Sequence, residues 1–411
     1  MAAASRQRSR WKRELSQGAY SQFQVKKIQI TASFDASSNF AKNRTSNATG
    51  VCEDMLDSPE SSPLKVVLIG GSNTGKSDGY TAVIKKAWGD DRAVRHMLGA
   101  STSLYGLSNA KMKGFLNPNS QFLFEYTLND ISYYRNGLYS VGLLERVLFD
   151  YCELSRKNGC HGRFLIMCPR YNLENYLQGK CPVISTYKAI ADHFNYEYID
   201  ATSILMMHQD YGITRLAQAY ADDMHYSVKA AEIIGHEALR QISQATSQPS
   251  SLALDRPAIA PLNAVISDTS ALSIEGPHEL ISRQTSIFQG NGVRLLPATK
   301  AKIHVEGAIL GLLTNTCGDT GYVKFEGSNR SFAKNMFDGF FSTTSSRVFL
   351  KQFARPLSGS VSKPVTIEPG ISEDHLNSLD LEPSMHEAPP LVSPEDTAIE
   401  VLGIVWTPTR E

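Results

Sequence analysis

Residues 65–77 read Lys65-Val-Val-Leu-Ile-Gly-Gly-Ser-Asn-Thr-Gly-Lys-Ser77. A short apolar run closes on two glycines and a hydroxyl residue, the pattern of a buried strand that turns sharply into a helix. Downstream, apolar runs alternate with stretches of helical period, which predicts βαβ units around a parallel sheet. The strands fall at Lys65–Ile69, Val94–Leu98, Gln121–Tyr126, Arg163–Met167 and Tyr196–Ile199. Between the third and fourth, residues 138–151 repeat apolar side chains at three and four, placing a long amphipathic helix there. Further helices are expected over 77–88, 182–194 and 227–243, the last N-capped by Ser227. Five strands with their crossovers make one doubly wound α/β domain, residues 63–245, whose ligands bind beyond the carboxyl ends of the strands.

On either side the composition changes. Residues 1–62 are rich in Ser, Ala, Asn and Gln, begin with Arg6, Arg8, Arg10, Lys12 and Arg13, and carry an acidic patch at Glu53, Asp54, Asp57 and Glu60. They read as a largely disordered extension. Residues 246–257, TSQPSSLALDRP, read as a linker. Beyond it, residues 258–411 shorten to strands at Ala301–Leu313, Gly321–Phe325 and Arg347–Phe353, and close on the apolar run Ile399–Trp406. This is the texture of a β-sandwich or roll. Part of residues 356–394, rich in proline and acids, is expected to form a loose loop.

The whole chain has 411 residues, 41 Lys plus Arg and 41 Asp plus Glu, so its formal net charge is zero. A nucleic-acid wrapper carries a basic excess, and this chain does not. No run approaches the ~20 apolar residues that span a bilayer. The basic start lacks the apolar stretch of a secretory signal, so the expected location is cytoplasmic. The cysteines at 52, 152, 160, 168, 181 and 317 show no metal-ligand spacing and read as buried reduced thiols. The N-x-S/T triplets at Asn43, Asn47 and Asn329 carry no weight in that setting.

Two readings compete for residues 70–77. The stretch fits the phosphate-binding P-loop, G-x-x-x-x-G-K-[ST], with Lys76 against phosphates and Glu125 as the only acid placed to hold Mg²⁺. The other makes Ser72 a nucleophile at a strand tip, where backbone N–H groups face a developing oxyanion. That reading needs a base, a carboxylate and further donors. Gly99 follows the second strand, and its N–H can come close to a substrate. Asn129 follows the third, at the same rim. Asp222 and His225 precede the closing helix, three apart, so one short loop can set the carboxylate on Nδ1 and leave Nε2 facing the serine.

In Gly70-Gly71-Ser72-Asn73, Gly99, Asn129-Asp130 and Asp222-x-x-His225, the chain resembles the SGNH hydrolase superfamily, the GDSL-type esterases and lipases, over about residues 65–244. Gly71 stands where that family usually has an acidic residue. The resemblance implies a flavodoxin-like three-layer α/β/α fold and a Ser72–His225–Asp222 triad. It also implies an oxyanion hole from Ser72 N–H, Gly99 N–H and the Asn129 side chain. Lys76 is then a solvated loop residue, Arg170 a rim residue able to contact substrate, and Asp223 a reserve for the orienting acid. His96 and His161 lack triad spacing. The expected chemistry is ester cleavage through an acyl-serine, without cofactor or metal, with water or an acceptor hydroxyl resolving it. Similar family members act on small acyl esters, lipids or acetylated sugars, so the expected partner is a small-molecule or glycan acyl ester. A third reading is an inactive hydrolase domain that serves polysaccharide binding or synthesis through residues beyond 257. Oligomeric state leaves no sequence signal.

Overall fold

The computed structural model describes residues 64–244, 262–285, 288–339, 347–385 and 388–409. The extension 1–62, Cys52 and the 246–257 linker lie outside them. Five parallel strands, β1 (Lys65–Gly70), β2 (Ala93–Met97), β3 (Ser120–Glu125), β4 (His161–Ile166) and β5 (Glu197–Asp200), form a sheet in the order β2-β1-β3-β4-β5. This is the flavodoxin-like order, whose switch point lies between β1 and β3.

The main helices are α1 (Tyr80–Trp88), α2 (Ser103–Lys113), α3 (Thr127–Arg135), α4 (Val141–Lys157), α5 (Pro182–Phe194), α6 (Ala201–Met207) and α7 (Val228–Ile242). Successive strand residues face opposite sides, and this divides the interior in two. Val67, Ile69, Phe122, Phe124, Phe164 and Ile166 pack with side chains of α2, α4 and α5. Val66, Leu68, Leu123, Leu165 and Ile199 pack with α1, α6 and α7. The result is the expected three-layer α/β/α arrangement. Ser227 caps α7, its side chain accepting the Ala230 N–H.

The C-terminal half contributes β6 (Val265–Ser267), β7 (Leu272–Glu275), β8 (His278–Gln284), β9 (Gln289–Leu295), β10 (Lys300–Ile303), β11 (Gly307–Thr316), β12 (Tyr322–Glu326), β13 (Ser331–Asn335), β14 (Arg347–Gly359), β15 (Val365–Pro369), β16 (Leu381–Glu382) and β17 (Ile399–Pro408). One sheet runs β14-β11-β17-β9-β8 with β6 also on β17, the other β16-β13-β12-β15-β10-β7. Ile309, Leu312, Phe353, Leu357, Val401 and Ile404 from the first meet Ile303, Val323, Phe325, Phe332, Val365 and Ile367 from the second. This is the core of a β-sandwich.

One expectation about this half is corrected and a second narrowed. The run Ala301–Leu313 is two strands, β10 and β11, which lie in different sheets. Of residues 356–394, the part up to Glu382 is regular structure rather than loose loop, and among the described residues from Pro383 to Pro394 no helix or strand occurs. The regular part holds the end of β14, β15, a short helix α8 (Glu373–Ser378) capped by Ser372, and β16. The β-branched Val365, Thr366 and Ile367 are buried in the sheet, and the acid Glu382 is buried against Arg330 at 2.6 Å and Lys334 at 3.3 Å.

The halves share one interior. Leu310, Leu313, Val348, Leu350, Leu402 and Val405 of the β-sheet belong to the same buried cluster as Leu104, Leu107, Leu144 and Val147. Buried Asp150 on α4 accepts the N–H groups of Leu262 at 2.9 Å and Ala264 at 3.2 Å. No helix among the described residues is long and apolar enough to cross a membrane. Cys152, Cys160, Cys168 and Cys181 are buried and unpaired with one another, and Cys317 is half-buried and free.

Candidate active site

Ser72 begins a single helical turn, Ser72–Gly75, directly at the carboxyl end of β1. The two preceding glycines are required by crowding. A Cβ on Gly70 would lie 2.1 Å from Thr74 Oγ1, and one on Gly71 2.9 Å from Asn129 Nδ2. The Gly71 N–H donates to the Glu125 carbonyl at 3.1 Å, tying the turn to β3.

Lys76 leaves this turn in extended conformation, and α1 starts only at Tyr80. A P-loop needs its Gly-Lys-Ser at the start of the following helix, where the N–H groups converge on phosphate. Here that helix starts four residues past Lys76, so the phosphate-cradle reading is not supported by the geometry. Glu125 does not serve as a metal acid either. It is fully buried beneath the turn, with Oε2 accepting from Gly71 N–H at 3.4 Å and the Thr74 hydroxyl at 3.3 Å. Burial pushes its carboxyl up to about 8. Among the described residues no group of three His, Cys, Asp or Glu side chains is placed to hold a metal.

His225 is carried by a tight hairpin. Tyr220 and Tyr226 form an antiparallel bridge with stacked rings, and Ala221 N–H donates to the His225 carbonyl at 2.8 Å. The tyrosine hydroxyls both donate to the Cys168 carbonyl just past β4, at 2.6 and 3.2 Å. From this support His225 Nε2 lies 2.8 Å from Ser72 Oγ, and Nδ1 lies 2.8 Å from Asp222 Oδ2. Asp222 Oδ1 accepts the N–H groups of Met224 and His225, each at 2.7 Å. Partial desolvation raises the Asp222 carboxyl, but these backbone donors and the imidazole outweigh it and hold it below the ordinary range. It stays an anion beside the imidazole, as a partner for imidazolium must.

The sequence did not single out Asn73 as a link. Its Nδ2 donates to the Met224 carbonyl at 3.1 Å, and its Oδ1 accepts the Tyr226 N–H at 3.4 Å, joining the Ser72 turn to the His225 hairpin. The signal was there in Ser72-Asn73: a buried amide beside a candidate nucleophile has to bond to something.

Gly99 abuts the serine, a Cβ built on it falling 3.4 Å from Ser72 Cβ. Asn129 is buried and donates from Nδ2 to the Ser101 carbonyl at 2.7 Å. Its neighbour Asp130 is fully buried and accepts from the Ser103 N–H at 2.9 Å and the Tyr187 hydroxyl at 2.7 Å. Arg170 is placed elsewhere. It pairs with Asp223 at 2.7 Å, both side chains exposed, and is not among the residues lining the cavity at Ser72. Asp223 is thereby turned from His225 to Arg170. His96 stacks on Phe115 with ring centroids 4.1 Å apart, and burial lowers its imidazole to about 4.

Ser72, Gly99, Asn129 and His225 open on a cavity of ≈ 650 Å³. Met97, Leu98 and Met224 wall it from the α/β half, and Arg347, Val348, Phe349 and Met385 from the β half. Lys76 also lines it.

No family model matches the chain, and no curated protein does. Among solved structures it is similar to a two-domain esterase active on acetylated mannans, at 12% identity and TM-score 0.48, covering 84% of this chain and 92% of that one. It is similar to a member of the lipolytic G-D-S-L family from Veillonella parvula, at 14% identity and TM-score 0.36, over 44% of this chain and all of the other. A Bacillus subtilis protein is similar at 13% identity and TM-score 0.37, over 45% of this chain, and the match spans 58% of that protein's chain.

Proposed function

We propose that the chain is a serine esterase acting through Ser72, His225 and Asp222. The observation that carries this reading is the unbroken relay from Asp222 through His225 to Ser72, each link 2.8 Å, opening on the cavity. His225 Nε2 takes the Ser72 proton as Oγ attacks the ester carbonyl, and Asp222 holds the ring and stabilises its charged form. The oxyanion falls between the Ser72 and Gly99 N–H groups and the Asn129 amide. The alcohol leaves with the proton from His225, and water or an acceptor hydroxyl resolves the acyl-serine with the same imidazole as base. The substrate class is a small-molecule or glycan acyl ester. A fluorophosphonate probe tests the assignment: it labels Ser72 in the wild-type chain, and Ser72→Ala removes both label and turnover of a p-nitrophenyl ester. Unlabelled wild-type protein, or labelling that persists in Ser72→Ala, overturns it.

A further inference from the structure

The loop that presents Gly99 is held at every step. The Ala100 carbonyl accepts from the Tyr133 hydroxyl at 2.7 Å, the Ser101 carbonyl from Asn129, and the Ser103 N–H donates to Asp130. Ala100 sits at φ +56°, left-handed backbone that a side chain disfavours. A loop with such a residue keeps its shape only where neighbours enforce it.

The remaining hold comes from the other half of the chain. Thr102 occupies the N-cap of α2, where a threonine ordinarily accepts an N–H of the first turn, yet it makes no capping bond. Asp130 accepts the N–H of Ser103, the first residue of that helix. The Thr102 hydroxyl donates to Gln352 Oε1 at 2.7 Å, 250 residues away, and Gln352 Nε2 donates to the Leu138 carbonyl at 3.2 Å. Both groups are buried. Gln352 is itself set by local design. It pairs with Gly311 on β11, where a Cβ would lie 2.9 Å from the Gln352 Cα. The register of β14 against β11 shifts immediately after this pair, from Gly311 opposite Gln352 to Ile309 opposite Leu357.

We propose that Gln352 is a positioning residue of the active site, fixing through Thr102 the loop that carries the Gly99 N–H, so that the β half completes the catalytic apparatus. The inference rests on the esterase reading. It gives the β half a role that neither glycan binding nor mere packing supplies.

The test measures kcat and KM on p-nitrophenyl acetate, thermal melting and fluorophosphonate labelling of Ser72 for Gln352→Leu, Thr102→Val and Thr102→Ser in the full chain. A loop displaced by up to about 1 Å costs up to about 100-fold. The expected result is a kcat loss of that size in Gln352→Leu and in Thr102→Val, with KM changing less. Thr102→Ser, which keeps the hydroxyl, retains wild-type kcat. The double variant Gln352→Leu/Thr102→Val loses no more than Gln352→Leu alone, because both changes remove the same Thr102–Gln352 bond and Gln352→Leu also removes the bond to Leu138. If Gln352→Leu does not fold, the pair Thr102→Val and Thr102→Ser decides. Unchanged kcat in folded Thr102→Val, or losses that simply add, overturn the proposal while labelled wild-type protein keeps the esterase reading. Wild-type protein that neither labels nor turns over overturns both.

Discussion

Asn129 uses one of its two amide hydrogens on the Ser101 carbonyl, at 2.7 Å. That bond fixes the amide plane and leaves a second donor on the same nitrogen. Buried against Gly71, the group has no rotamer to lose when charge develops on the substrate. Asn129→Ala therefore lowers kcat by about 10²–10³ with little change in KM, the loss typical of one oxyanion donor. Steady-state rates on a p-nitrophenyl ester measure it, and a loss confined to KM contradicts the role.

At the scale of elements, the junction of β1, its helical turn and the end of β3 carries a titration. The Glu125 carboxyl, ordinarily near 4.5, is pushed up to about 8, burial outweighing the Gly71 N–H and Thr74 hydroxyl that pull it down. Between these values the folded chain holds a proton that the unfolded chain has released. The stabilisation is complete below about 4.5 and is lost as pH rises through about 8. Asp130, pushed up to about 7 by burial, adds to the same trend. Glu125→Gln keeps the shape without the titration, so stability falls less steeply from pH 4.5 to 8. Chemical unfolding across that range shows this, and an unchanged slope would rule out a protonated Glu125.

Strands β1, β3 and β4 are short runs buried on both faces, and helices α4, α5 and α7 each bury one face, so run length and apolar spacing announce them. Helices α2 and α3 were not anticipated. In α2 every residue from Ser103 to Ala110 is buried, Ser108 and Asn109 included, so no amphipathic period exists to detect. The Ser72, Asp222 and His225 spacing was legible because each follows a strand or precedes a helix. The brace from Gln352 was not, since a bond across 250 residues leaves no local pattern. Arg170 pointed to the rim by position, but a neighbouring acid engages it.

For the whole molecule, Asp150 is a second polar joint between halves, beside the Thr102–Gln352 bond. Asp150→Ala strands two buried N–H groups, each costing about 1–3 kcal/mol. Urea unfolding is expected to shift to lower denaturant while remaining a single transition, because the apolar cluster still joins both halves. Two separated transitions would contradict a shared interior.

That common cluster limits how the chain can be shortened. A fragment cut between residues 244 and 262 bares Leu310, Leu313, Val348 and Leu402 on one piece and strips the other of its cover. Freshly uncovered apolar faces of this kind invite aggregation. Expression trials aimed at a minimal hydrolytic fragment will therefore yield insoluble material, and exchanging the C-terminal piece for an unrelated one will fail for the same reason.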